Sequence, residues 1–247
     1  MNKSAIVFVN LGVLMATIYW NYYSNTGAIN GQTMGSLSDE YANFFTPAGY
    51  AFSIWGIIYL SLVVNAIYLL KKRSNLDSKV IAKWFSLANI GNCIWVYVWL
   101  MEYTGLSVIA MIFILFCLTK NVLNLKIGQE KKPVWIWWPA SIYFGWIVVA
   151  LAANISAFLA KVEWQALFSG ELWAALLIAI ATGIYLFIMW KKNITYAAYV
   201  GVWALVAIMF KQWEVNTLVQ YSAMIAAILL FGTTLVKDFA LRKKGVY

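Results

Sequence analysis

The chain has 247 residues, 64% of them hydrophobic and only 11% charged, with a formal net charge of +9. A soluble domain carries about 25% charged residues, so the soluble globular classes are excluded. Histidine is absent, and the two cysteines, Cys93 and Cys117, lie inside apolar runs. Neither histidine-ligated metal or haem chemistry nor a disulfide framework is therefore expected.

The apolar residues come in runs of roughly twenty, the length that crosses a hydrocarbon core of about 30 Å. They do not alternate as the roughly ten-residue strands of an outer-membrane barrel do. The fold class read from this pattern is an all-α integral membrane protein with about eight transmembrane helices. In chain order the spans are expected at residues 4–23, 50–70, 81–101, 106–123, 134–157, 171–190, 195–210 and 217–236. The first follows a short "MNKS" with no clear cleavage signal, so it is expected to persist as a mature helix. Between the first and second spans lies a segment, 24–48, rich in Gly, Ser, Asn and Thr, which reads as a long irregular loop. It ends in "FFTPAGYAFSIW", residues 44–55, whose rings suit either an interfacial anchor or the lid of a site.

With these spans, 16 of the 18 basic residues fall on one side, from Lys3 and Lys71 through Lys120, Lys131 and Lys132 to Lys244. The other side keeps Lys161 and Lys211, together with Asp39, Glu40, Glu102, Glu163, Glu171 and Glu214. The positive-inside rule then places both termini in the cytoplasm and the 24–48 loop outside. The localisation expected is multi-pass in the plasma (inner) membrane. The basic balance reports topology, and no nucleic-acid partner is implied.

No acid or base falls near the centre of a span, which disfavours ion-coupled transport. The third span instead carries Asn89, Asn92, Trp95 and Trp99 on one helical face. The fifth carries Tyr143, Trp146, Ala150 and Asn154 at spacings of three, four and four. Small residues in membrane helices usually serve close packing. An alanine between an indole and an amide also leaves a groove, and two such faces suggest a pocket with apolar walls and a few placed polar groups.

These pieces resemble the tryptophan-rich sensory protein or translocator protein family (TspO/MBR, the peripheral benzodiazepine receptor family). Its motif entering the second helix, aromatic-Thr-Pro-Pro-Gly-Trp-x-Phe, is matched by Phe45, Thr46, Pro47, Ala48, Gly49, Tyr50, Ala51 and Phe52, followed by Trp55 and Tyr59. Asn92 and Trp95 match the third-helix pattern, and Tyr143, Trp146, Ala150 and Asn154 the fifth. Three departures stand out: Ala48 replaces the second proline, Tyr50 replaces a tryptophan, and Ile142 stands where a proline is usual, with Pro139 three residues earlier. The resemblance covers residues 4–158. It implies a five-helix core over 1–158, followed by an extension of three further spans and a basic tail over 171–247.

The resemblance also implies a pocket between helices, capped by the first loop, for flat hydrophobic molecules: tetrapyrroles (porphyrin or haem, as ligand and not as a required cofactor) or sterol- and lipid-like compounds. Tyr50, Phe52, Trp55 and Tyr59 are expected as cap and wall, and Asn92, Trp95, Tyr143, Trp146, Ala150 and Asn154 as groove. Phe44 and Phe45 are expected to stay at the interface as anchors. The function expected is an integral-membrane ligand-binding or sensory protein, with a transporter or facilitator of small amphipathic molecules as the alternative. An enzyme acting on a bound pigment ranks lowest, since no nucleophile–base set is present. Partners are the bilayer and a hydrophobic small molecule. An oligomer is compatible with the sequence, and an extension covering a dimerisation face would favour a monomer.

Overall fold

The computed structural model describes residues 5–41, 43–127, 132–164 and 168–246. Lys3, Ser4 and Lys131, used above for the first span and the charge distribution, lie outside them. The described residues form nine α-helices: α1 (Ala5–Ser24), α2 (Met34–Glu40), α3 (Ile54–Lys71), α4 (Leu76–Leu100), α5 (Thr104–Leu125), α6 (Val134–Lys161), α7 (Gly170–Lys192), α8 (Thr195–Lys211) and α9 (Thr217–Lys243). A 3-10 turn, Gly49–Ser53, leads into α3.

Eight of these helices fall where spans were expected. Six, counting the 3-10 turn with α3, are long and apolar enough to cross a membrane by length and composition: α1, α3, α5, α6, α7 and α9. With α8 at 17 residues, its length is roughly 25 Å at 1.5 Å per residue, short of a 30 Å core. The amides and indoles of α4 lower its apolarity. Lipid-facing side chains such as Phe8, Phe116, Phe187 and Phe239 are exposed on the outside of the bundle. The chain is thus an all-helical, multi-pass integral membrane protein.

The loop expected to be irregular contains α2. Thr33 caps it: its hydroxyl accepts from the Ser36 N–H at 3.0 Å while the Ser36 hydroxyl accepts from the Thr33 N–H at 2.8 Å. This reciprocal pair satisfies two N–H groups that would otherwise lack partners at a helix start. Seven residues in a Gly/Ser context give no periodic signal long enough to read from sequence.

Helix α6 sits at the centre, packed on α3, α5, α7 and α8. Its Tyr143 and Trp146 are among the largest fully buried side chains. On one side α1 packs on α3 and α4; on the other α8 and α9 pair, and α7 lies against both. The junction between the two sides is built on glycine. A Cβ at Gly145 would sit 2.8 Å from the Ala197 carbonyl oxygen, and one at Gly201 only 2.5 Å from the Tyr185 ring. Tyr185 of α7 passes over Gly201 of α8 and donates from its hydroxyl to the Gly145 carbonyl of α6 at 2.5 Å. Small residues let the backbones approach and a buried hydroxyl ties three helices together.

Candidate functional site

The rings meet at Trp55. It stacks on Tyr59 at 5.4 Å between centroids and on Trp95 at 6.3 Å, and meets Tyr143 (5.7 Å) and Trp146 (6.4 Å) edge to face. Phe52 adds an edge contact to Trp146 at 6.0 Å. Such offset and edge geometries are each worth about 0.5–1.5 kcal/mol beyond burial. The i, i+4 spacing of Trp55 and Tyr59 puts both on one face of α3, turned toward α4 and α6.

Beside this cluster lies a cavity lined by Phe52, Trp55, Trp95, Trp146, Ala150 and Asn154. Its free space is only about 30 Å³, room for one or two waters and not for a drug-sized ligand. A second space of about 160 Å³ lies beyond it, against Asn21, Asn25 and Tyr59. Met34, Phe52 and Trp55 line both and form the wall between them. The closed arrangement leaves donors without acceptors: the indole N–H groups of Trp55, Trp95 and Trp146, the Tyr143 hydroxyl and the Asn92 Nδ2 are buried and unpartnered. An indole can only donate, and a buried donor left unmade costs roughly 1–3 kcal/mol.

Of the expected residues, the structure brings Phe52, Trp55, Tyr59, Trp95, Trp146, Ala150 and Asn154 to these spaces. Tyr143 is fully buried behind Trp55. Asn92 is also fully buried, and its Oδ1 accepts from Asn21 Nδ2 at 2.8 Å and from the Tyr59 hydroxyl at 3.5 Å. Asn154 accepts from the Ser107 hydroxyl. Tyr50 is not brought there. It is 43% exposed and its ring meets Trp203 of α8 edge to face at 5.1 Å. Phe45 is no interfacial anchor either, being 1% exposed. Tyr50 and Phe52 stand two residues apart in the 3-10 turn, about 240° around its axis, so Tyr50 faces outward while Phe52 turns in.

Sequence reasoning did not find the contributions of Met34 and Ser38 from α2, or Met111 from α5. The Met34–Ser38 spacing of four was the available signal, hidden in a segment read as loop. Trp99, one turn after Trp95, also lines the cavity, and its indole donates to the Met34 carbonyl at 3.5 Å.

The loop above the cavity is fastened at several points. Glu102, in the α4–α5 turn at φ +60°, accepts from the Tyr41 hydroxyl at 2.5 Å and from Asn30 Nδ2 at 3.3 Å. It also pairs with Lys161 at 3.6 Å, and the Lys161 ammonium lies over the Tyr41 ring at 5.2 Å. The Tyr41 hydroxyl above all, with Lys161 adding to it, holds the Glu102 carboxyl below its ordinary value; burial first, and then Glu102, push the Tyr41 phenol up. At the other edge Asp39 pairs with Lys211 at 3.0 Å. The motif itself is tied to α8: the Ala48 N–H donates to the Ala207 carbonyl at 3.1 Å, and Trp203 Nε1 to the Ala51 carbonyl at 3.3 Å.

A family model described as TSPO-like protein matches residues 6–236. No curated protein and no solved structure matches the chain.

Proposed function

The chain belongs to the TSPO-like protein family, and from that premise we propose that it is a membrane ligand-binding or sensory protein. Its pocket, in this reading, is the Trp55-centred cluster under the 24–48 loop. The observation that carries the reading is the set of buried, unpartnered donors on Trp55, Trp95, Trp146, Tyr143 and Asn92. A flat apolar molecule with carbonyl or carboxylate edges, such as a tetrapyrrole, would match both the rings and the donors. Since the free space is small, binding requires Phe52 and Trp55 to move and join the two spaces that they part. The ion pairs at Glu102 and Lys211 then set how readily the loop yields.

In the same reading the chain crosses the membrane eight times with both termini cytoplasmic. Each described ion pair joins residues assigned to one side: Asp77 with Lys132, Glu102 with Lys161, Asp39 with Lys211 and Asp238 with Arg242. The core, 1–158, carries the pocket, and the extension, 171–247, holds the loop motif in place through α8. Titration of the purified protein with a porphyrin tests the pocket: saturable quenching of tryptophan fluorescence, weakened by Trp146→Phe, is expected. Absence of quenching at large excess would refute it.

Facilitated flux is the second reading, favoured by one feature. A line of polar contacts runs along the α1–α4 interface, from Asn10 with Ser86, through Thr17 with Cys93, to Asn21 with Asn92. Beside it, both polar atoms of Asn89 are buried without partners. Proteoliposome flux of a small amphipathic solute that falls in Asn89→Leu while porphyrin binding persists would select this reading.

A further inference from the structure

A second cavity, of about 260 Å³, opens between the segment before Pro47, the end of α6 and the start of α7. Phe44, Phe45, Glu163, Trp164, Gly170 and Trp173 line it, and it shares no lining residue with the Trp55 cavity. It is smaller than the roughly 300–1,000 Å³ of drug-sized pockets, so it suits a compact group and not a ring system.

Its chemistry is unlike that of the Trp55 cavity. The Trp164 and Trp173 rings lie 5.2 Å apart at 51°, with Phe168 edge-on to Trp173 at 5.6 Å. Indole faces are the strongest aromatic partners for a cation. Glu163, the second residue after α6, is exposed, is held at φ +50° and has no ion pair among the described residues. Lys161, two residues away, is engaged with Glu102 and Tyr41. Trp173 Nε1 is buried with no acceptor. A complementary group must therefore bring positive charge to the rings and the carboxylate, and an acceptor to one indole N–H.

Among the described lining side chains, Asn43 is already bonded to the Phe45 N–H and the Tyr41 carbonyl, and the Ser156 hydroxyl donates to the Ala152 carbonyl. Glu163 and Trp164 are exposed, so a bound cation keeps part of its water. Against the indole faces an ammonium gives up hydration that the rings cannot replace, whereas a methylated ammonium has no N–H to desolvate. We propose that the cavity formed by Phe44, Glu163, Trp164 and Trp173 binds a methylated ammonium joined to an anionic acceptor, the chemistry of a phosphocholine group. A lipid headgroup and a free solute both carry that chemistry. The proposal does not depend on what binds at Trp55.

The full chain, purified in a maltoside detergent, is titrated with phosphocholine and observed by saturation transfer to the N-methyl protons. The same titration uses the neutral carbon isostere, with tert-butyl in place of trimethylammonium. Transfer to phosphocholine, weak or none to the isostere, is expected. Affinity should fall about two- to fivefold in Glu163→Gln and in Trp164→Leu, the loss of one exposed cation contact. Near-ultraviolet circular dichroism of each variant confirms that it is folded, and Trp173→Phe, which keeps one aromatic ring and removes the N–H with the pyrrole ring, provides a milder second variant. Equal binding of the isostere, or phosphocholine binding unchanged in all three folded variants, overturns the proposal. In nanodiscs, a signal suppressed by phosphatidylcholine and not by phosphatidylglycerol makes the lipid headgroup the source; a signal that survives in both makes it a free solute.

Discussion

The Nδ2 of Asn65 lies 2.6 Å from the main-chain oxygen of Trp135, the oxygen that Pro139 deprives of its helical donor. Pro139 stands inside α6, and a proline there removes the N–H that residue 135 would have accepted from. Asn65, 1% exposed on α3, supplies the missing bond from a neighbouring helix, as membrane helices with internal prolines require. Asn65→Leu should destabilise the protein by about 0.5–1.5 kcal/mol, the net worth of one hydrogen bond. Adding Pro139→Ala should recover much of this by restoring the helical donor. Thermal unfolding of the two single variants and the double variant measures the coupling, and additive losses would show the two residues to be independent.

Ala48 explains one departure from the family motif. Its N–H donates to Ala207 of α8, a bond that the usual proline cannot make. Ala48→Pro should therefore detach the motif from α8, with a loss of about 0.5–1.5 kcal/mol and faster amide exchange over residues 43–52. Exchange unchanged from wild type would mean that α8 does not hold the motif.

Gly201→Ala places a methyl group against the Tyr185 ring, where the ideal Cβ lies 2.5 Å away. A loss of about 1–3 kcal/mol is expected from overpacking. Tyr185→Phe keeps the clash and removes only the bond to Gly145, so it should not rescue Gly201→Ala. Tyr185→Leu should relieve part of the clash. Rescue by Phe would place the strain elsewhere.

The loop fastening at Glu102 depends on pH. Tyr41 and Lys161 hold the carboxyl below its ordinary value of 4.5, so the folded state favours the ionised form. That contribution is full above the ordinary value and is lost as pH falls through the depressed one. The amide protection factors over residues 25–41, which are corrected for the intrinsic pH dependence of exchange, should fall on acidification below about pH 4.5 in the wild type. In Glu102→Gln protection should be low already at neutral pH and show little further change. Parallel profiles in the two proteins would remove Glu102 from this role.

Much of the core was readable because its signals are periodic. Tyr143, Trp146, Ala150 and Asn154 recur at helical spacing, and the structure sets Trp146, Ala150 and Asn154 along one cavity wall. Tyr50 fails because its ring packs on Trp203 of α8, a partner about 150 residues later that no local pattern announces. Phe45 fails for a tertiary reason too, and α2 because seven residues are too short to show a period. Whether a ring at a membrane boundary faces lipid or protein depends on what packs over it. Here the packing comes from α7, whose Gly170 and Trp173 line one cavity with Phe45, more than a hundred residues later in the chain.

The most direct test of the pocket is porphyrin titration of the wild type against Trp95→Phe/Trp146→Phe. These substitutions keep a ring at each position and delete two of the unpartnered indole donors. The wild type should show saturable quenching, with affinity about tenfold or more weaker in the variant, since hydrogen bonds to a charged acceptor are worth about 1.5–3 kcal/mol. Identical affinity in wild type and variant, or no quenching in either, would contradict the account.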